Sequence, residues 1–151
     1  MIAGAGASSL SLKGGIMKKF LYWFISLTWG CLMTFIGLLV ALALLCTGHK
    51  PYKFGYTFYF KVGKNWGGLN LGAIFITDST PTEHTLCHEH GHGLQNCVWG
   101  VLFPFVIGIP SAIRYWYREY VHKHDPTRYL PPYDAIWFEG QATTWGIVRF
   151  K

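Results

Sequence analysis

The sequence predicts an α+β protein: an N-terminal transmembrane helix, then a small β-hairpin or sheet packed with a motif helix and a C-terminal helix. Three observations carry that reading. Residues 20–46 hold no charged side chain. Residues 56–62 are aromatic and β-branched, the composition of a strand. His88-Glu89-His90-Gly91-His92 sets two histidines four residues apart, one above the other on a helix. The expected divisions are a disordered tail at 1–15, a membrane anchor at 16–48 and a folded domain at 49–151.

Composition supports a bilayer. The chain is 51% hydrophobic and 18% aromatic but only 13% charged, about half the charge of an ordinary soluble domain. The net charge of +6 is unevenly placed: residues 1–77 contain lysines and no acid, and all seven carboxylates come later. Lysines flanking an apolar run suit lipid headgroups or other phosphates. No basic-aromatic motif points to nucleic acid.

Taken in order, the tail is rich in Gly, Ala and Ser, a composition that resists folding. Met17-Lys18-Lys19 reads as a second start. The apolar run that follows is about 27 residues, or about 40 Å as a helix, enough to span with tilt. Tyr22, Trp23 and Trp29 suit headgroup level. A cleaved signal peptide fits less well, because the run is long and no A-x-A site closes it. The localisation expected is a single-pass protein of a bacterial cytoplasmic membrane, with lysines on both sides leaving orientation open.

Residues 56–62, a turn at 63–68 and an extended run at 69–77 predict a hairpin. Asp78-Ser79-Thr80-Pro81-Thr82-Glu83 supplies caps and a helix-starting proline, so the motif helix is expected over 81–96. Residues 97–113 are apolar but interrupted by Pro104 and Pro110, which favours a packed or interfacial segment. Helices over 111–124 and 133–147 complete the chain, the first with an aromatic-basic surface. Cys31, Cys46, Cys87 and Cys97 form no C-x-x-C pair. Cys87 and Cys97 would lie about 15 Å apart on one helix, too far for a disulfide.

The motif is H-E-x-x-H. His88 and His92 can offer two imidazoles to one zinc ion, and Glu89 can take a proton from water as general base. A catalytic zinc needs a third protein ligand. The extended form H-E-x-x-H-x-x-G-x-x-H is excluded by Gln95 and Val98. Glu139, a lone carboxylate in an apolar-aromatic stretch, is the favoured third ligand, with His122 and His124 as alternatives. Asp78, Glu83, Glu119, Asp125 and Asp134 read as capping, loop or locally paired residues. His90 should point away from the metal as a packing or surface residue, and His84 should be a solvent histidine at the helix start. His124, Tyr129 and Tyr133 are the candidates for stabilising an oxyanion.

H-E-x-x-H with a downstream glutamate resembles the gluzincin zinc metallopeptidases. More narrowly, Thr85-Leu86-Cys87-His88-Glu89-His90-Gly91-His92-Gly93-Leu94-Gln95-Asn96 is similar to a group of small, uncharacterised, membrane-anchored bacterial proteins with an H-E-[YFH]-G-H-x-x-Q core. Gly108-Ile109-Pro110-Ser111-Ala112-Ile113 and Trp137-Phe138-Glu139-Gly140-Gln141-Ala142 extend the match. The resemblance implies a minimal zincin-like domain, zinc on His88, His92 and Glu139, and Glu89 as the catalytic base. The acidic residue that larger gluzincins carry soon after the glutamate is replaced here by Gln141, Ala142 and Thr143. The expected function is zinc-dependent peptide-bond hydrolysis at a membrane, with a peptide or protein substrate. The alternative is a non-catalytic membrane protein in which zinc is structural. The motif helix is too polar to sit deep in a bilayer.

Overall fold

A computed structural model describes residues 5–148 of the chain. Helices α1 (Ala5–Thr28) and α2 (Cys31–Cys46) come first. Four strands follow: β1 (Pro51–Phe54), β2 (Thr57–Lys61), β3 (Gly68–Leu71) and β4 (Ile74–Thr77). Helices α3 (Glu83–Trp99), α4 (Ile109–His124) and α5 (Trp137–Val148) complete the α+β arrangement. Of the tail expected over 1–15, residues 1–4 lie outside the described ones, and α1 begins at Ala5.

The expected N-terminal transmembrane helix is corrected by the structure. The charge-free run at 20–46 breaks at Trp29-Gly30 into two helices that turn through 98°, and among the described residues no single helix is long and apolar enough to cross a membrane. The cause is tertiary. Gly30 sits against the side chain of Asn96 on α3, leaving no room for a Cβ, and Asn96 Nδ2 donates to the Gly30 carbonyl at 3.2 Å. An apolar run carries no local mark of such a partner.

The sheet also departs from a simple hairpin. Its order is β1-β2-β4-β3, with β2 and β4 parallel and the outer pairs antiparallel. The run at 69–77 folds back on itself at Gly72, whose φ of 76° is open to glycine. Asn70 Oδ1 accepts from the Gly72 amide at 2.8 Å and holds that turn. Helix α2 lies on the β3–β4 turn, where Gly37 makes space for the Leu71 carbonyl. Strand β3 is left as an edge.

Helix α3 starts on Thr82, whose hydroxyl accepts from the Thr85 amide at 3.1 Å. It runs three residues past the expected end and stops at Gly100, with φ 55°. A 3-10 turn (Gly100–Leu102) and a π-helical turn (Pro104–Gly108) lead into α4. Pro104 has no amide to continue an α-helical ladder there. The C-terminal segment opens as a 3-10 turn at Tyr133–Ala135, and α5 begins at Trp137. Helices α3 and α5 pack as closely as backbones allow: Gly91 abuts the Ala142 carbonyl and Gly146 abuts that of Cys87. This contact brings the motif to Glu139.

Candidate metal centre

His88, Glu89 and His92 are buried on α3, and Glu139 is fully buried on the first turn of α5. His88 Nε2 and His92 Nε2 each lie 3.1 Å from Glu139 Oε2 and 3.1 Å from each other. The three residues form a group able to hold a metal ion. Around zinc, with donors at about 2.0–2.1 Å, tetrahedral ligands stand about 3.3 Å apart. The triangle needs to open by only a few tenths of an ångström.

The hydrogen bonds behind the rings decide what the triangle presents. Gln95 Nε2 donates to the Phe138 carbonyl at 2.8 Å and to Gln141 Oε1 at 3.0 Å. Its Oε1 therefore faces His92 Nδ1, at 2.7 Å, and that nitrogen must donate. Thr143 donates to Asp134 Oδ2 at 3.0 Å, so its oxygen accepts from His88 Nδ1 at 2.8 Å. In the neutral rings both Nε2 atoms then carry lone pairs, aimed at each other and at a carboxylate oxygen. Three acceptors converging in a buried site call for a shared positive charge. Glu139 Oε1, also buried, meets no hydrogen-bond partner in good geometry among the described residues, and the Ser111 hydroxyl helps to hold the carboxylate charged.

Electrostatics separate the two carboxylates. Burial alone would raise Glu139, but its hydrogen bonds with His88 and His92 outweigh burial and hold it below the usual range. Burial pushes Glu89 up to about 7, opposed by His88 and reinforced by Glu139. Glu89 is not in the ligand triangle. It faces β3, where its carboxyl group takes the space a side chain at Gly68 would need. Asn70 Nδ2 donates to the Glu89 carbonyl at 2.8 Å and ties the edge strand to the motif helix.

A cavity of about 520 Å³ opens beside the triangle, with His88, Glu89 and His92 in its wall. Gly67 and residues Gly68 to Asn70 of the edge strand line it, as do the apolar side chains of Phe103, Ile107 and Trp116. Tyr133 also lines it, with its ring centroid 6.1 Å from that of His88. Arg114 and Arg118 hold the preceding loop by donating to the carbonyls of Pro131, Pro132 and Tyr133. Burial is the main cause that pushes Tyr133 up to about 12, so its hydroxyl keeps its proton at neutral pH.

The structure brings together His88, His92 and Glu139 and sets Glu89 beside them. It does not bring in the alternative ligands: His122 reaches only the cavity wall, and His124 Nδ1 contacts the Tyr120 carbonyl at 2.9 Å. Of the three oxyanion candidates, only Tyr133 lines the cavity; Tyr129 is 82% exposed. His90 is wholly buried and packs among Tyr22, Phe54 and Tyr56. His84 is exposed and lies 3.3 Å from Asp134 Oδ2. Sequence reasoning overlooked Gln95, Thr143 and Asp134. Gln95 lies three residues after His92 and Thr143 four after Glu139, spacings that put each on the face of a ligand but do not show which group it bonds. None of the four cysteines is in a disulfide. Comparison with models of known protein families, with curated proteins and with solved structures yields no match.

Proposed function

We propose that the chain is a zinc-dependent peptidase of gluzincin type, with His88, His92 and Glu139 holding the ion and Glu89 as general base. The observation that carries this reading is the triangle of lone pairs on two helices, with a buried carboxyl group beside it on the cavity wall. Two nitrogens and one oxygen are a donor set that suits zinc. The histidines face a cavity, which favours an open fourth position over the closed shell of a structural site. A zinc ion held there supplies a Lewis acid that polarises a carbonyl and acidifies water.

The chain's own residues do the rest. Glu89, raised toward neutrality by burial, takes a proton from the attacking water and returns it to the leaving amine. Tyr133 keeps its proton and serves as a donor to the developing oxyanion. Strand β3 has an unpaired edge along the cavity, on which an extended peptide adds by main-chain pairing. Phe103 and Ile107 favour an apolar side chain next to the scissile bond.

Glu89→Gln is the test. The variant is expected to bind zinc as the parent does while cleavage of a quenched-fluorescent peptide library falls by about 100-fold or more. Glu139→Ala is expected to lose the metal. Purified parent protein without zinc would sink the reading. Equal behaviour of parent and Glu89→Gln, with zinc in both and cleavage in neither, would favour the structural alternative.

A further inference from the structure

The structure contains two helical elbows that touch. The first is the turn between α1 and α2; the second joins α3 to α4 through Pro104 and turns through 116°. Each pair has the length and apolar composition of a broken span or a re-entrant segment. Trp29 Nε1 donates to the Val98 carbonyl at 3.2 Å, Asn96 holds Gly30, and Gly100 packs against the Trp29 indole. Met33 packs on the cluster of Phe103, Ile107 and Phe138. The two tips therefore lie together. What they leave exposed is apolar: Trp29 at 48%, Val98 at 58%, Leu102 at 49% and Phe105 at 63%.

Chemistry changes in one direction away from the tips. Along α4 the exposed stripe runs Ile109, Ile113, Trp116, Tyr117 and Tyr120, and then reaches Lys123. Its spacing of three and four residues makes it one face of the helix. Along α1 the chain runs back from Trp29 through exposed Leu27, Phe24 and Phe20 to Lys19 and Lys18. Helix α2 runs forward through exposed Phe35, Leu39, Leu42 and Leu45 to Lys50 and Lys53. No charged residue lies between Lys19 and Lys50, or between Glu89 and Arg114. Aliphatic tip, aromatic middle and cationic end is the depth profile of a bilayer leaflet.

We infer that both elbows insert tip-first into one leaflet of an anionic bilayer, without crossing it, and seat the protein there, with the polar residues of α3 from His88 to Asn96 enclosed by the protein and none of them facing lipid. The dimensions agree. Helix α2 has 16 residues, about 24 Å, and an arm of a near right-angled elbow descends about 0.7 of its length. That is about 17 Å, close to one leaflet's hydrocarbon depth of about 15 Å. The lysines at the ends of both arms then stand at headgroup level, in a half of the chain that has no carboxylate to oppose them. A protein partner fits this surface poorly. Protein interfaces carry polar rims, whereas α2 buries only Thr34, Gly37 and Ala41 and has no charge along its length. The placement is independent of the metal and of the reaction proposed for it.

The test uses the full chain made in a bacterial host, with Cys31 and Cys46 replaced by serine. Lys18→Cys, Lys50→Cys and Lys123→Cys are each labelled with a membrane-impermeant maleimide in intact and in lysed spheroplasts. All three positions are expected to behave alike, because all lie on one side of the bilayer. Opposite behaviour of Lys18→Cys and Lys50→Cys would mean a crossing and overturn the inference. So would recovery of the parent protein in the soluble fraction, as a self-covered oligomer or otherwise. Flotation with vesicles supplies the second arm. Leu102→Asp with Phe105→Asp should weaken binding to phosphatidylglycerol-containing vesicles at least tenfold while the circular-dichroism spectrum and melting midpoint in one detergent stay at the parental values. Each of Lys18, Lys19, Lys50 and Lys53 changed to Gln should cost about fivefold on these vesicles and nothing on pure phosphatidylcholine. Unchanged flotation of the double Asp variant, with the fold retained, would also overturn it.

Discussion

At the scale of single residues, the site is legible in proportion to how local its signals are. His88 and His92 announce themselves by spacing, and Glu139 by being a carboxylate where its neighbours are apolar. Their orienting partners gave no comparable sign, since Thr143 reaches His88 across 55 residues and Gln95 reaches Phe138 across 43. Such bonds exist only once α3 and α5 have packed. No acidic residue follows Glu139 on α5, yet a second carboxylate still acts on the site. Asp134, from the preceding turn, accepts from Thr143 and so makes the threonine an acceptor for His88. Thr143→Val removes that acceptor and frees the ring to turn. Zinc affinity, measured by competition with a chromophoric chelator, is expected to fall about 10- to 100-fold, the usual cost of losing a partner behind a metal ligand. Thr143→Ser should restore it, and an unchanged affinity in the valine variant would count against the relay.

At the scale of elements, type was easier to read than partnership. The motif helix and the final helix lie close to their expected places because capping by Thr82 and an unbroken helical run are local properties. The break at Gly30, the parallel pairing of β2 with β4 and the turn at Gly72 each depend on something distant. Gly30 needs Asn96, and Gly72 needs Asn70 on one side and Thr34 on the other. The α3–α5 contact has the same character. Gly91 and Gly146 look like helix weakeners in the sequence, but a Cβ at either would run into a backbone carbonyl of the facing helix. Backbone cannot yield as a side-chain tip does, so Gly91→Ala should push the helices apart. The expected loss is about 1–3 kcal/mol of stability, in line with overpacked cores, together with weaker zinc binding as Glu139 moves off the histidines. Gly108→Ala is the control, since its nearest neighbours would be at 3.8 and 3.9 Å, an ordinary contact. Equal melting of the two variants would show that the crossing is looser than described.

At the scale of the whole molecule, the apolar core is divided rather than single. Tyr22, Ala73 and Leu94 form one cluster, Ala41, Phe60 and Ile74 a second, and Phe103, Ile107 and Phe138 a third. Helix α3 contributes Leu94 to the first, and its end leads directly into the third. Helix α5 depends on α3 more than on any other element, and the point where the two meet contains a buried carboxylate and two imidazoles. Without a cation that junction sets lone pairs against one another. With one it becomes a clamp between the helices. Metal binding and tertiary stability should therefore be linked, because a ligand that binds only the folded chain stabilises it by mass action. At free zinc about 100 times the dissociation constant, the gain is about 2.7 kcal/mol, or about 5–10 °C in melting temperature for a chain of this size. Removing zinc with a chelator from the full chain, held in one detergent or lipid throughout, should lower the midpoint by that amount, and adding zinc back should restore it. Glu139→Ala should melt at one temperature with or without zinc, because the clamp has lost its α5 ligand. A parent midpoint that zinc leaves unmoved would mean that the triangle binds no metal strongly enough to tie α5 to the fold.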